Sequence, residues 1–186
     1  KKNYSFTKVL KVIVIVLVLI IFIGSSVALG TAYAWIKNAK PLDYDEIFDL
    51  NQTTYIVDKN DKVIDKLHAN ENRSMVTLEQ IPDNLKNAFI AIEDKRFYKH
   101  NGIDIQRIIG SAIEDIKIGK LAHGGSTITQ QLIKNVYLTP KKDFKRKVIE
   151  MYYAMQLERQ FTKEQILEAY LNTIGLGGNN IAGVKE

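Results

Sequence analysis

Two adjacent carboxylates, Glu93 and Asp94, run directly into Lys95-Arg96-Phe97-Tyr98-Lys99-His100-Asn101-Gly102. An acid, an imidazole and several cations so close together are the raw material of general acid–base chemistry. Taken singly, an acid at a helix end is usually a solvated surface group, and a single His is more often a packing residue than a catalyst. A carboxylate at a helix C-terminus also meets an unfavourable macrodipole, so Glu93 is either solvated or placed there for a purpose. Further on, Gly124-Gly125-Ser126-Thr127-Ile128-Thr129-Gln130-Gln131 is a glycine turn entering a helix start dense in hydroxyls and amides. Free main-chain N–H groups at such a start suit a phosphate or sugar oxygens. The plainer reading is an ordinary capped helix.

Positive charge gathers next. Lys134, Lys141, Lys142, Lys145, Arg146 and Lys147 stand against Asp143 alone. Such a run is usually a solvated face. Arg146 and Glu150, however, are four apart and share one helix face, away from Val148 and Met151. A carboxylate held beside a guanidinium stays ionised and well placed, which suits a site handling a diphosphate. The bland alternative is an i, i+4 surface pair worth about 0.2–0.5 kcal/mol.

The elements that must position these groups are helical after Leu78. Leu85, Ala88, Phe89 and Ile92 follow helical spacing, with Asp83 as cap after Pro82. Ile105, Ile108, Ile109, Ala112, Ile113 and Ile116 make a second stripe, from Asp104 as cap to Gly119 as stop. A third helix is expected from Ser126 or Thr127 to Leu138, before Pro140. In a fourth, Phe144, Val148, Met151, Tyr152 and Met155 mark the buried side. A fifth opens with Thr162 and Gln165 at capping-box spacing, then Ile166, Leu167, Tyr170 and Leu171. All these stripes are read as core. Upstream, residues 53–67 alternate around Asp58-Lys59-Asn60-Asp61, which predicts a hairpin of two short strands. A calcium loop is rejected there, because Lys62 and Val63 stand where a ligand and a glycine are needed. No nucleotide-binding glycine fingerprint or βαβ pattern is present.

Residues 12–34 carry no charge and begin VIVIVLVLIIFIG. At about 1.5 Å per residue that is long enough to cross a hydrocarbon core of about 30 Å. Lys1, Lys2, Lys8 and Lys11 precede it, and Asp43, Asp45, Glu46 and Asp49 follow. Positive-inside reasoning places residues 1–11 in the cytoplasm as a tail, residues 12–34 as a single transmembrane helix in the plasma membrane, and the rest outside. Ala32-Tyr33-Ala34 resembles a signal-peptidase site, but the apolar stretch exceeds the usual apolar region of about 7–15 residues, which favours an anchor. Those four lysines carry most of the net charge of +5; the remainder balances at 22 basic against 21 acidic side chains. A nucleic-acid partner is therefore not expected. With no cysteine, a disulfide framework and a thiolate metal site are both excluded. Residues 35–52 read as a polar linker and 53–186 as the catalytic domain, expected to lack its carboxyl end.

Taken in order, the polar segments form a pattern. Glu-Asp-x-x-Phe-x-x-His-x-Gly-x-Asp at 93–104, Gly-Gly-Ser-Thr-Ile-Thr-Gln-Gln-x-x-Lys-Asn at 124–135, Arg-Lys-x-x-Glu at 146–150 and Ile-Leu-Glu-x-Tyr-Leu-Asn at 166–172 resemble the peptidoglycan glycosyltransferase family. That family comprises the amino-terminal modules of class A penicillin-binding proteins and the monofunctional transglycosylases. The resemblance covers about residues 78–172. It implies a mainly α, lysozyme-like helical glycosyltransferase domain with a small mobile lobe against the membrane.

The resemblance also implies roles. Glu93 is the general base that takes the proton from the 4-hydroxyl of the acceptor lipid II. The donor N-acetylmuramic acid is then attacked at its anomeric carbon with inversion, releasing undecaprenyl diphosphate. Ser126, Thr127, Gln130, Gln131, Lys134 and Arg146 fall at positions around the donor sugar and diphosphate. Glu150 matches the second essential glutamate, which positions the donor or an associated divalent ion; no cofactor is obligatory. Asp94, Phe97 and His100 match residues that shape the site. The expected partners are lipid II, the growing glycan strand, the membrane, and cell-wall synthesis or division proteins. Beyond Asn172 the glycines at 175, 177, 178 and 183 are kept but the family's aromatics are not, so no ligand contact is assigned there.

Three rivals deserve comparison. A lysozyme-like lytic enzyme shares the helical architecture and a critical glutamate, but a neutral glycan needs neither the anchor nor the cation run. A transpeptidase would use Ser-x-x-Lys, yet Ser5-Phe6-Thr7-Lys8 precedes the apolar span and no Ser-Asp-Asn or Lys-Thr-Gly follows. A non-catalytic membrane scaffold leaves the ordered polar motifs unexplained.

Overall fold

The computed structural model describes residues 6–48, 54–57, 63–67, 75–120, 124–138, 143–174 and 184. It falls into two compact units, Lys1–Lys40 and Pro41–Glu186.

The first unit is one continuous helix, α1 (Phe6–Lys37), which contains the predicted span. It is long and apolar enough to cross a membrane, and its Val, Leu and Ile side chains are exposed along its length. Its hydroxyls are satisfied internally. Ser25 and Ser26 donate to the Phe22 carbonyl at 2.9 and 2.8 Å, and Thr31 donates to the Val27 carbonyl at 2.8 Å. In hydrocarbon, where no water competes, a polar group needs such an internal partner.

The second unit contains α2 (Tyr44–Phe48), β1 (Thr54–Val57), β2 (Val63–Leu67), α3 (Asp83–Glu93), α4 (Ile105–Ile118), α5 (Ile128–Val136), α6 (Phe144–Gln160) and α7 (Lys163–Thr173). The expected hairpin is present: β1 and β2 pair antiparallel from Thr54↔Leu67 to Val57↔Val63, with a register irregularity at Ile56/Val57. Its Asp58–Asp61 turn lies outside the described residues, as do Lys141, Lys142 and the glycine-rich stretch 175–183. Within the segment read as a polar linker, α2 buries Ile47 completely and stacks Phe48 on Phe161 at 4.2 Å. Tyr137 clasps the same segment, donating its hydroxyl to the Pro41 carbonyl at 2.6 Å.

The core lies where α5, α6 and α7 meet. Ile128, Leu132 and Ile133 of α5, Leu157 of α6 and Ile166, Tyr170 and Leu171 of α7 are fully buried. Removing each such side chain from water contributes about 1.5–3 kcal/mol. Local chemistry sets the register of these helices. Thr127 and Gln130 form a reciprocal capping box at the start of α5, and Thr162 and Gln165 form another at the start of α7. Asp104 caps α4 through the Arg107 N–H at 3.1 Å, and left-handed Gly119 ends it.

Three expectations need correction. Asp83 is not the cap of α3; Pro82 occupies that place, and Asp83 sits in the first turn, paired with Lys86 at 2.7 Å. That pairing holds the Asp83 carboxyl below its usual range. The stripes of α3 and α4 are not core: neither helix has a buried residue, and Ile92, Ile105 and Ile116 are 76%, 67% and 81% exposed. On α6 the buried side is Glu150, Tyr153, Ala154 and Leu157, while Phe144 and Met155 are exposed. The helical period was legible, but it does not say which apolar face finds a partner.

The motif Ile166–Asn172 has a structural task. Asn172 accepts from the Val76 N–H at 3.0 Å and returns an amide N–H to the Val76 carbonyl at 2.9 Å, while Glu168 accepts from the Leu78 N–H at 2.6 Å. Helix α7 thereby fixes residues 76–78, which lead into α3. Gly102 shows how tightly α6 approaches the loop after α3. It has a φ of +87°, and an added Cβ would stand 2.6 Å from the Ala154 carbonyl oxygen. Gly102→Ala is therefore expected to lose about 2–4 kcal/mol, from left-handed strain together with a main-chain clash. Thermal unfolding of the variant against the parent protein checks this.

Candidate active site

Glu93 is the last residue of α3, half-buried, with its side chain directed at α5. Its Oε2 accepts from Gln131 Nε2 at 2.7 Å. The Gln131 carbonyl oxygen in turn lies 3.4 Å from the Tyr170 hydroxyl, which donates to it from α7. The Glu93 main-chain carbonyl, one of the orphaned acceptors at a helix C-terminus, receives the Arg107 guanidinium of α4. That cation offsets the macrodipole which would otherwise oppose a carboxylate at this position. Arg107 is set in turn by Asp104, which caps α4 and accepts from Arg96 Nε at 2.9 Å. Burial pushes the Asp104 carboxyl up, but the Arg107 N–H and the Arg96 guanidinium outweigh it and hold the group below the usual range.

Asp94 explains why α3 ends beside α5. Its buried Oδ2 accepts from the Ile128 main-chain N–H at 3.0 Å and lies 2.9 Å from His100 Nε2. A carboxylate at the N-terminus of α5 is favoured by both the free N–H and the dipole. Thr127 completes the clamp, donating to the Gly102 carbonyl at 2.7 Å. These bonds correct the phosphate reading of this helix start. The Ile128 and Gln130 N–H groups are engaged by Asp94 and Thr127, so they are not free for an anion. Phe97 is fully buried beneath the Lys163 ammonium at 4.4 Å from its ring centre. Asp94, Phe97, His100, Thr127 and Gln130 thus form the rigid backing of the site.

A second cluster surrounds Glu150. This carboxylate is 1% exposed and pairs with the Lys147 ammonium, which also donates to Ser126 Oγ at 2.7 Å. The expected Arg146–Glu150 pair is not the one formed. The main-chain N–H of Arg146 is engaged at the helix cap by Asp143, at 2.6 Å, and its buried Nε has no acceptor among the described residues. Lys147, three residues from Glu150 and on the same face, takes the carboxylate instead. Lys134 is exposed on α5, one turn beyond Gln131. One carboxylate, an ammonium and a hydroxyl are a poor donor set for a divalent ion, which wants several oxygens.

The two clusters meet on one segment: Ser126 holds the Lys147–Glu150 pair, and Gln131 holds Glu93. Two clefts border them along adjoining faces of α4 and share Ser111. One, of about 590 Å³, is lined by Ile108, Ala112, Ile116 and Met151 with Ser126 and Lys147 at its polar end. The other, of about 510 Å³, is lined by Ile92, Lys95, Arg96, Arg107 and Gly124. Neither cleft wall includes Glu93 or Glu150 themselves; the residues that hold them reach it. Arg107, Lys147 and Tyr170 were absent from the sequence-derived site. The i, i+3 spacing of Lys147 to Glu150 was the available signal for one of them.

The site is thus a helical one, with one glutamate held by a neutral amide and a second, buried glutamate paired with an ammonium. Residues 60–186 match the family described as Transglycosylase. Penicillin-binding protein 1A of Clostridium tetani is 45% identical over 183 residues, covering 96% of this chain and 23% of that protein. Penicillin-binding protein 1A of Clostridium perfringens strain 13 is 49% identical over 148 residues, covering 77% of the chain and 22% of that protein. Penicillin-binding protein 1A/1B of Bacillus subtilis is 44% identical over 174 residues, covering 94% and 18%. The chain spans less than a quarter of the length of these relatives. The chain belongs to the transglycosylase family, whose domain is lysozyme-like and helical.

Proposed function

We propose that this chain polymerises peptidoglycan glycan strands from lipid II by an inverting glycosyl transfer that releases undecaprenyl diphosphate. The observation that carries this reading is that two glutamates from different helices, Glu93 of α3 and Glu150 of α6, stand in opposite electrostatic settings against the one segment that runs from Ser126 to Gln131. Glu93 is half-buried and held through one oxygen by a neutral amide, which leaves Oε1 to accept a proton. Glu150 is locked to a cation beside Ser126 and the start of α6, where Lys147 and Arg146 stand together. Glu93 takes the acceptor 4-hydroxyl proton as that oxygen attacks the donor anomeric carbon. Arg146, Lys147 and Lys134 meet the negative charge that grows on the departing diphosphate.

Asp94, Phe97, His100, Thr127 and Gln130 hold the α3–α5 junction that sets this geometry. α1 is proposed as the membrane anchor, with its amino terminus cytoplasmic and the catalytic domain, residues 53–186, outside. The exposed isoleucines of α4 fit a lobe facing the membrane, where lipid-linked donor and acceptor are found. A lytic enzyme would need no cations at a leaving group, since it cleaves a neutral glycan. The linkage tests the inverting step. The product formed from lipid II should be cut to disaccharide units by a β-1,4-specific muramidase; a resistant product would overturn it.

A further inference from the structure

We propose that Tyr170 is a positioning residue for the transfer, orienting the Gln131 amide so that its NH₂ end holds Glu93. The inference rests on Glu93 being the base.

A primary amide has a donor end and an acceptor end, and only the donor end is useful beside a carboxylate. Gln131 is half-buried between two oxygens of different kinds: the Glu93 carboxylate at 2.7 Å and the Tyr170 hydroxyl at 3.4 Å. A carboxylate only accepts, whereas a tyrosine hydroxyl can donate. The Tyr170 proton therefore goes to Gln131 Oε1, and Nε2 is directed to Glu93 Oε2. Turning the amide over would set its carbonyl oxygen against the carboxylate.

The tyrosine is itself fixed. It is fully buried, packed edge-on against Phe89 at 6.2 Å, and carried on a helix whose Glu168 and Asn172 are anchored to residues 76–78. Burial, and then the nearby Glu93 charge, push its hydroxyl to ionise only at higher pH, so it remains a donor through the working range. A phenylalanine would fill the same core volume, so packing alone does not require the oxygen. The oxygen's partner is the amide that holds Glu93. Tyr170 touches no reacting atom; it acts two bonds removed, through Gln131.

The test is a double-mutant cycle in the intact protein with lipid II as substrate. Tyr170→Phe is expected to lower kcat about tenfold with KM within twofold and the melting temperature nearly unchanged, since one hydrogen bond next to a charged group is lost. Gln131→Leu should lower kcat further. Adding Tyr170→Phe to Gln131→Leu should then change nothing, because the pathway to Glu93 is already cut. A general packing role would instead multiply the two losses and lower the melting temperature, and that result overturns the proposal. So does a Tyr170→Phe enzyme with the parent kcat while Glu93→Gln is inactive. Retained polymerisation by Glu93→Gln is a different failure: it removes the base, and the positioning with it.

Discussion

Glu93→Gln should reduce glycan polymerisation by about 10²–10⁴-fold while the protein folds and binds lipid II as before. The amide keeps the side-chain volume and can still face the acceptor hydroxyl, but it cannot take a proton at neutral pH. Its cost in stability should be small. Glu93 is half-buried rather than core, Arg107 holds its main-chain carbonyl, and the substitution leaves that bond alone. The introduced amide can set its carbonyl oxygen toward the Gln131 NH₂, which already donates there, so the local hydrogen bond survives without the charge. Initial rates with lipid II, alongside lipid II binding and circular dichroism, separate lost chemistry from lost structure. Near-parental turnover would reject Glu93 as the base and make Glu150 the leading group.

Lys147→Met should be the next most damaging change, with polymerisation down about 10–10²-fold. It removes the counter-ion of a carboxylate that is almost wholly buried, together with the bond that ties α6 to Ser126. A buried charge left alone is costly, and the surrounding structure shifts to rehydrate it. The same change removes a cation from the proposed leaving-group side. Lys147→Arg keeps the charge and should retain much more activity. Arg146→Ala should act differently. Arg146 makes no bond to Glu150, so its loss should raise KM for the donor while Glu150 stays in place. If Lys147→Met were silent and Arg146→Ala displaced Glu150, the pairing drawn here would be wrong.

What the sequence made legible was local. Thr162/Gln165, Asp104 and Gly119 are written into neighbouring residues, and the helices begin and end on them. The hairpin strands and the apolar span are equally short-range signals. Packing across the fold was not legible. The α6 face was misplaced because a glutamate is ordinarily counted as solvent-facing, whereas Glu150 lies inside with Tyr153 and Leu157. The same long-range cause hid Arg107, which reaches the Glu93 carbonyl from α4, and Tyr170, which reaches Gln131 from α7. Nor could sequence show that the hydroxyl-rich helix start spends its N–H groups on Asp94 and Thr127. That depends on α3 ending against α5.

Whether the chain builds glycan or cuts it is decided by giving the intact protein lipid II in one reaction and purified cell-wall glycan in another. The expected result is a ladder of lengthening glycan chains from lipid II, with one undecaprenyl diphosphate released per disaccharide added, and no soluble fragments from the finished wall. Fragments released from the wall, with lipid II left unpolymerised, would contradict the account.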